Sequence, residues 1–143
     1  MIDNDRADIL RLYEVTRQGH LEGDAAKLLA QYGDAWVDLR DGGVVDRTIA
    51  DETARLGDML AITQYQLWED VAPPRVDVSP DGSMAWLLGQ IRALATQSLP
   101  DGSEREIAYR CSWLQVYTRI DGRWAAIVNA PSVIIESRGP DQP

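Results

Sequence analysis

Three Asp-Gly pairs, at 81–82, 101–102 and 121–122, stand twenty residues apart in the second half of the chain. Asp-Gly between apolar runs is the strongest short signal for a β-hairpin, because both residues tolerate a positive φ. The spacing leaves about eighteen residues for each strand, against ~5–6 in a typical one. Strands of that length twist and bend, so the pattern predicts a four-strand antiparallel meander with bulges and strong curvature. Pro73-Pro74 interrupts the first of the four. Paired prolines cannot complete a central ladder, which places that strand at the sheet edge.

The first half has helical spacing instead. Ile9, Tyr13, Thr16 and His20 fall on one stripe of a first helix. Gly23 ends it, and Asp24 is placed to cap a second, short helix over 25–31. AWVDLRDGGVVDRT then reads as a hairpin around Asp41-Gly42-Gly43. Thr48 can cap a third helix, with Ile49, Thr53, Leu56 and Leu60 as its buried stripe. The expected architecture is α+β: three N-terminal helices packed on a strongly curved antiparallel sheet, forming a cone with a pocket. One domain over 1–137 is expected, with a flexible tail at 138–143.

The formal net charge is -9, and the basic residues are scattered. That field repels phosphate backbones and anionic lipid, so neither nucleic acid nor a membrane surface is an expected partner. Nothing approaches the ~18 consecutive apolar residues of a membrane span. The start, MIDNDRADILRLY, is charged where an export signal is apolar. The single cysteine, Cys111, cannot form an internal disulfide. Together these point to a cytoplasmic protein with no cofactor and no metal, since no cluster shows ligand spacing. There is no Phe, so five Trp and five Tyr supply the rings. Each brings a polar atom that needs a partner when buried.

If every Asp-Gly centres a two-residue loop, the sheet faces follow by arithmetic. Tyr117 then pairs with Ala126, Gln115 with Val128, Trp113 with Ala130, and Trp86 with Tyr117. Directly opposed residues share a face. One face would carry Trp86, Leu88, Gln90, Arg92, Trp113, Gln115, Tyr117, Trp124, Ala126, Val128, Ala130 and Ser132. Large rings there require the concave side, where helices can meet them. The expected ligand contacts are therefore Tyr13 from the first helix with Trp86, Gln90, Arg92, Trp113, Gln115 and Tyr117. The second face is also largely apolar, with Leu87, Ile91, Leu114 and Val116. A second copy covering that convex face, as a homodimer, is the expected partner.

Three stretches, EGDAAKLLAQYGDAWVDLRDGG, SPDGSMAWLLG and VYTRIDGRWAAIVNAPS, together with the order of elements, resemble the nuclear transport factor 2-like superfamily and its SnoaL-like, polyketide cyclase-like branch. The resemblance implies the cone fold. It extends to cyclases, isomerases, dehydratases and epoxide hydrolases, and equally to oligomerisation domains without chemistry. The histidines that many SnoaL-like proteins carry on the last strand would fall at Val128 and Ala130, which are not histidines; the serine two further on is kept as Ser132. Aligned on ketosteroid isomerases, the tyrosine position falls at Thr16, the base at Leu39, one residue from Asp38, and the late acid near Gln115. None matches.

Other residues carry two readings each. His20 could be a base at a pocket mouth or a helix-terminal structural residue. Asp34 and Asp38 flank Trp36 and could share proton transfer, or lie solvated in the hairpin. Arg92 could pair with an anionic group or with a protein carboxylate. Cys111, set opposite Arg92 by the same arithmetic, would have a lowered pKa, or be inert. The expected function is binding of a small, largely hydrophobic molecule in an aromatic-lined pocket, with isomerase-, cyclase- or dehydratase-type chemistry open. The alternative is a non-catalytic homodimerisation module without ligand.

Overall fold

The computed structural model describes residues 2–137; the tail expected to be flexible, 138–143, lies outside them. Helix α1 (Ile2–Glu22) buries Ile9, Tyr13 and Thr16, as the stripe predicts. Helix α2 (Ala25–Leu29) is shorter than expected; Asp24 caps it by accepting from the Lys27 N–H at 3.3 Å. Strands β1 (Tyr32–Arg40) and β2 (Gly43–Thr48) form the hairpin, turning at Asp41-Gly42 with both φ values positive. Thr48 caps α3 (Ile49–Ile62). The buried side of α3 keeps Leu56 of the predicted stripe, while Ile49 and Leu60 are only half-buried. Glu52 and Leu56 face inward, and Thr53 is exposed. The carboxylate of Glu52 shares the inner face with Leu56, which apolar periodicity cannot detect.

Strands β3 (Thr63–Asp70) and β4 (Arg75–Val78) flank Pro73-Pro74 and run one after the other along the same side of β5 (Met84–Ser98). The prolines do sit at a sheet edge. β6 (Glu104–Ile120) and β7 (Arg123–Ser137) complete the meander, with 17 and 15 residues. The sheet order is β2-β1-β7-β6-β5-β3, with β4 also on β5. All pairings are antiparallel except β1 with β7, which is parallel. The core between sheet and α1 includes Ile9, Tyr13, Trp68, Leu87, Ile91, Tyr117 and Trp124.

The register differs from the arithmetic in two places. At Asp101-Gly102 the last pair is Ser98 with Glu104, so the loop has five residues. Asp101 keeps a negative φ; its carboxylate accepts from the Ser103 N–H at 2.9 Å and holds a wider turn. Trp86 consequently sits opposite Val116, not Tyr117. A one-residue slip sends every side chain of a strand to the other face. Trp86, Gln90 and Arg92 therefore lie on the convex side, while Leu87, Ile91, Ala93 and Ala95 are buried on the concave side. Arg92 meets Glu136 at 3.7 Å there. The second difference is a bulge in the β6–β7 ladder between Val116 and Tyr117. Beyond it Gln115 opposes Asn129 and Trp113 opposes Pro131, not Val128 and Ala130.

Candidate functional site

A cavity of about 390 Å3 opens between α1, α3 and the concave face. Its rings come from α1, β1, β3 and β6. Tyr13 stacks on Trp113 with centroids 5.7 Å apart, and His20 stacks on Trp68 at 3.6 Å. Tyr65 meets both His20 and Trp68 edge-on, and the Tyr109 hydroxyl donates to that of Tyr65 at 3.2 Å. Leu28, Met59, Ile107, Pro131, Val133 and Ile135 supply aliphatic wall. Val133 and Ile135 are 48% and 40% exposed, which marks them as rim.

The polar wall comes from β1, α3, β6 and β7. Its best-ordered part is a relay of hydrogen bonds. The Tyr117 hydroxyl donates to Gln115 Oε1 at 2.6 Å, Gln115 Nε2 to Gln31 Oε1 at 2.7 Å, and Gln31 Nε2 to the Leu28 carbonyl at 3.1 Å. Each amide is oriented by its neighbour. Gln115 is thus satisfied within the protein.

Next to it lies a charge cluster. Asp38 is 2% exposed, and its Oδ2 accepts from Arg47 Nε at 3.0 Å and Arg40 Nε at 3.3 Å. Glu52, 4% exposed, accepts from Arg55 through Oε1. Asp38 Oδ1 and Glu52 Oε2 are sealed without a hydrogen-bond donor, although Arg47 Nε approaches Glu52 Oε2 to 3.7 Å. An unpaired buried carboxylate oxygen is costly and calls for an explanation. Tyr32, stacked on Trp36 at 3.9 Å, lies near both acids. Burial first, then those two charges, keep its phenol protonated.

Two further polar groups line the cavity without a side-chain partner among the described residues. Asn129 is 8% exposed and lines the cavity, and among the described residues no side chain hydrogen-bonds its amide. His20 Nδ1 lies 2.9 Å from the Thr16 carbonyl, which can only accept, so Nδ1 carries the proton and Nε2 keeps its lone pair. Burial lowers the His20 pKa to about 4, opposed by the Thr16 hydrogen bond. The imidazole is therefore a neutral acceptor at pH 7. The sign for stability follows: the unfolded chain takes up a proton below about 6.5 and the folded one does not. His20 thus favours folding fully above that pH and loses its contribution as pH falls toward 4. As the chain has one histidine, a proton NMR titration should show a single imidazole that stays neutral at pH 5.5. A midpoint near 6.5 in the folded protein would contradict its burial against Trp68.

Of the seven ligand contacts expected from sequence, Tyr13, Trp113 and Gln115 line the cavity. Tyr117 is fully buried behind it, and Trp86, Gln90 and Arg92 are on the far face. The Tyr13 hydroxyl donates to Asp70, which Arg17 also holds at 2.9 Å, and so points away from any ligand oxygen. Asp38 is buried on the cavity wall, whereas its neighbour Leu39 is 42% exposed; the offset that seemed to disqualify Asp38 turns it inward. Asp34 is exposed. Cys111 pairs with Ile91, not Arg92, and burial raises its thiol pKa to about 11, the reverse of the expected activation. Sequence reasoning missed Asn129, Glu52, Arg40 and Arg55. Asn129 was visible as the one polar residue in the run AAIVNAP, but the assumed register placed Val128 inward instead.

No family model matches the chain, and no curated protein matches it by sequence. Solved structures do. The chain is similar to a nuclear transport factor 2-like protein from Cytophaga hutchinsonii at 15% identity and TM-score 0.63, covering 90% of this chain and 98% of that one. It is similar to a LinA-type hexachlorocyclohexane dehydrochlorinase from Novosphingobium barchaimii at 16% identity and TM-score 0.64, covering 96% and 93%. A candidate calcium/calmodulin-dependent kinase II association domain from Exiguobacterium sibiricum aligns at 11% identity and TM-score 0.65, covering 92% and 95%. The fold is nuclear transport factor 2-like. At these identities the likeness extends to fold alone, and the neighbours span both chemistry and assembly. Among the described residues no helix is long and apolar enough to cross a membrane.

Proposed function

We propose that this protein binds a small, largely apolar molecule inside the cone and transfers a proton on it. The observation that supports this most is the cavity itself. About 390 Å3 of open space lies within the range of small-molecule sites, and two polar groups, the Asn129 amide and His20 Nε2, border it without a side-chain partner among the described residues. A packed oligomerisation module has no use for either. The rings would hold the body of the molecule, and Asn129 and His20 Nε2 its polar atoms. Of the two cavity carboxylates with an oxygen free of donors, Asp38 would be the base, because Arg47 already approaches the free oxygen of Glu52 to 3.7 Å. A cytoplasmic setting goes with the lone thiol.

The test is intrinsic tryptophan fluorescence with thermal shift against a panel of hydrophobic acids, sterols and polyketide fragments. A saturable signal with a raised Tm is expected, lost in Trp113→Ala while the fold survives. Exchange of an acidic C–H of the bound molecule with deuterated solvent should then stop in Asp38→Asn even at concentrations that saturate the variant's fluorescence signal. No response across the panel would favour assembly alone.

Assembly also has an observation of its own. The convex face exposes Met84, Leu114 and Ile134, with Trp86 and Leu88 half-buried between them. An apolar strip of that kind is suited to a second copy of the sheet. Sedimentation of the same samples should give a homodimer; a monomer at high concentration would remove this part of the proposal.

A further inference from the structure

In a chain with 23 acidic and 14 basic side chains, the charge cluster that includes the polar wall of the cavity and Arg47 behind it has the opposite balance. Arg40, Arg47 and Arg55 surround only two acids, Asp38 and Glu52, which leaves one surplus positive charge when all are ionised. Two of the three arginines, Arg40 and Arg55, line the cavity itself. Their side chains are 36% and 42% exposed, so their heads reach open space.

Neither guanidinium is used up. Arg40 gives only Nε to Asp38, and its two terminal nitrogens have no partner among the described residues. Arg55 gives Nε and Nη2 to Glu52, which leaves Nη1. Both arginines lie within electrostatic reach of the Tyr32 ring. A guanidinium fixed at Nε by its own carboxylate cannot rotate freely. It presents its remaining N–H groups in a set direction, which is the geometry that suits a planar oxyanion. Across the cavity stand Tyr13, Trp68 and Trp113, a surface for a flat apolar body.

Resting on the pocket reading above, we infer that the ligand is a small ring-bearing carboxylic acid, its carboxylate held by Arg40 and Arg55 and its ring by the aromatic wall. Asp38 and Glu52 then serve to position the two arginines rather than to bind the ligand's charge. The anion completes the charge balance of the five-residue cluster, which is otherwise positive.

The experiment compares matched probes by calorimetry: benzoate, naphthoate and indole-3-acetate against their methyl esters. The acids should bind at least tenfold more tightly than the esters, and that advantage should shrink as salt rises from 50 to 500 mM. Arg40→Gln and Arg55→Gln should each reduce the acid–ester ratio severalfold while leaving ester affinity unchanged. Ester binding thus reports that the variants are folded. Arg40→Lys, which keeps the charge and loses the fork, should restore part of the ratio. Acids and esters binding alike, or esters binding better, would overturn the carboxylate assignment and leave the pocket reading standing. Loss of acid and ester binding together in both Gln variants would overturn it as well, by making the arginines structural. No binding by any probe would count against both.

Discussion

Replacing Gly89 with valine should destabilise the protein by about 2–3 kcal/mol, although valine is a better strand former than glycine. A Cβ at this position would lie 2.5 Å from Cζ2 of Trp113 and under 3 Å from two more atoms of the same ring. Gly89 and Trp113 face each other directly across β5 and β6, so the indole lies over bare backbone. Strand propensity spans only ~1 kcal/mol, and overpacking typically costs about 1–3 kcal/mol, so sterics should win. Urea unfolding followed by far-ultraviolet circular dichroism gives the number. Trp113 lines the cavity, so displacing its ring should also lower ligand binding in the same variant. Unchanged stability together with unchanged binding would show that the ring is not held where it is described.

The second large effect should come from Gln115→Leu. Tyr117 is fully buried and loses its acceptor, and Gln31 loses the donor to its Oε1. Each stranded polar group costs about 1–3 kcal/mol. The gain from burying a leucine offsets about a third of that, so a net loss of about 3 kcal/mol is expected, or a fall of roughly 10 °C in Tm. Removing the stranded groups as well, in a triple variant with Tyr117→Phe and Gln31→Leu, should return at least half the loss. Strict additivity of the three changes would mean that the relay is not a coupled unit.

These two positions also show how far the residues could be read before the fold was known. The caps at Asp24 and Thr48, the α1 stripe, the edge prolines and the long strands rest on local chemistry, and local chemistry is written in a single segment. The faces of the sheet rest on register, which depends on loop length. Asp101-Gly102 has the letters of a two-residue turn, but the neighbouring Ser103 draws the Asp101 carboxylate into a five-residue loop. The one-residue slip in register that results places Trp86, Gln90 and Arg92 outside the cavity. Glu52 was hidden for another reason. A buried carboxylate is intelligible only with Arg47 and Arg55 beside it, and Arg47 comes from a different element. Gln115 was read correctly as inward-facing but for an open role, whereas its partners make it part of the frame.

The bulge in the β6–β7 ladder has a consequence for how such a cavity could change over time. Past it, β7 turns Asn129, Pro131, Val133 and Ile135 inward and Val128, Ala130 and Ser132 outward. Loss of one residue at the bulge would exchange the two sets in a single step, with no substitution at any of those positions. The lining of the cone is therefore inherited partly as a count rather than as a list of residues. Two descendants of this chain could keep nearly identical last strands and still present different walls to what they bind.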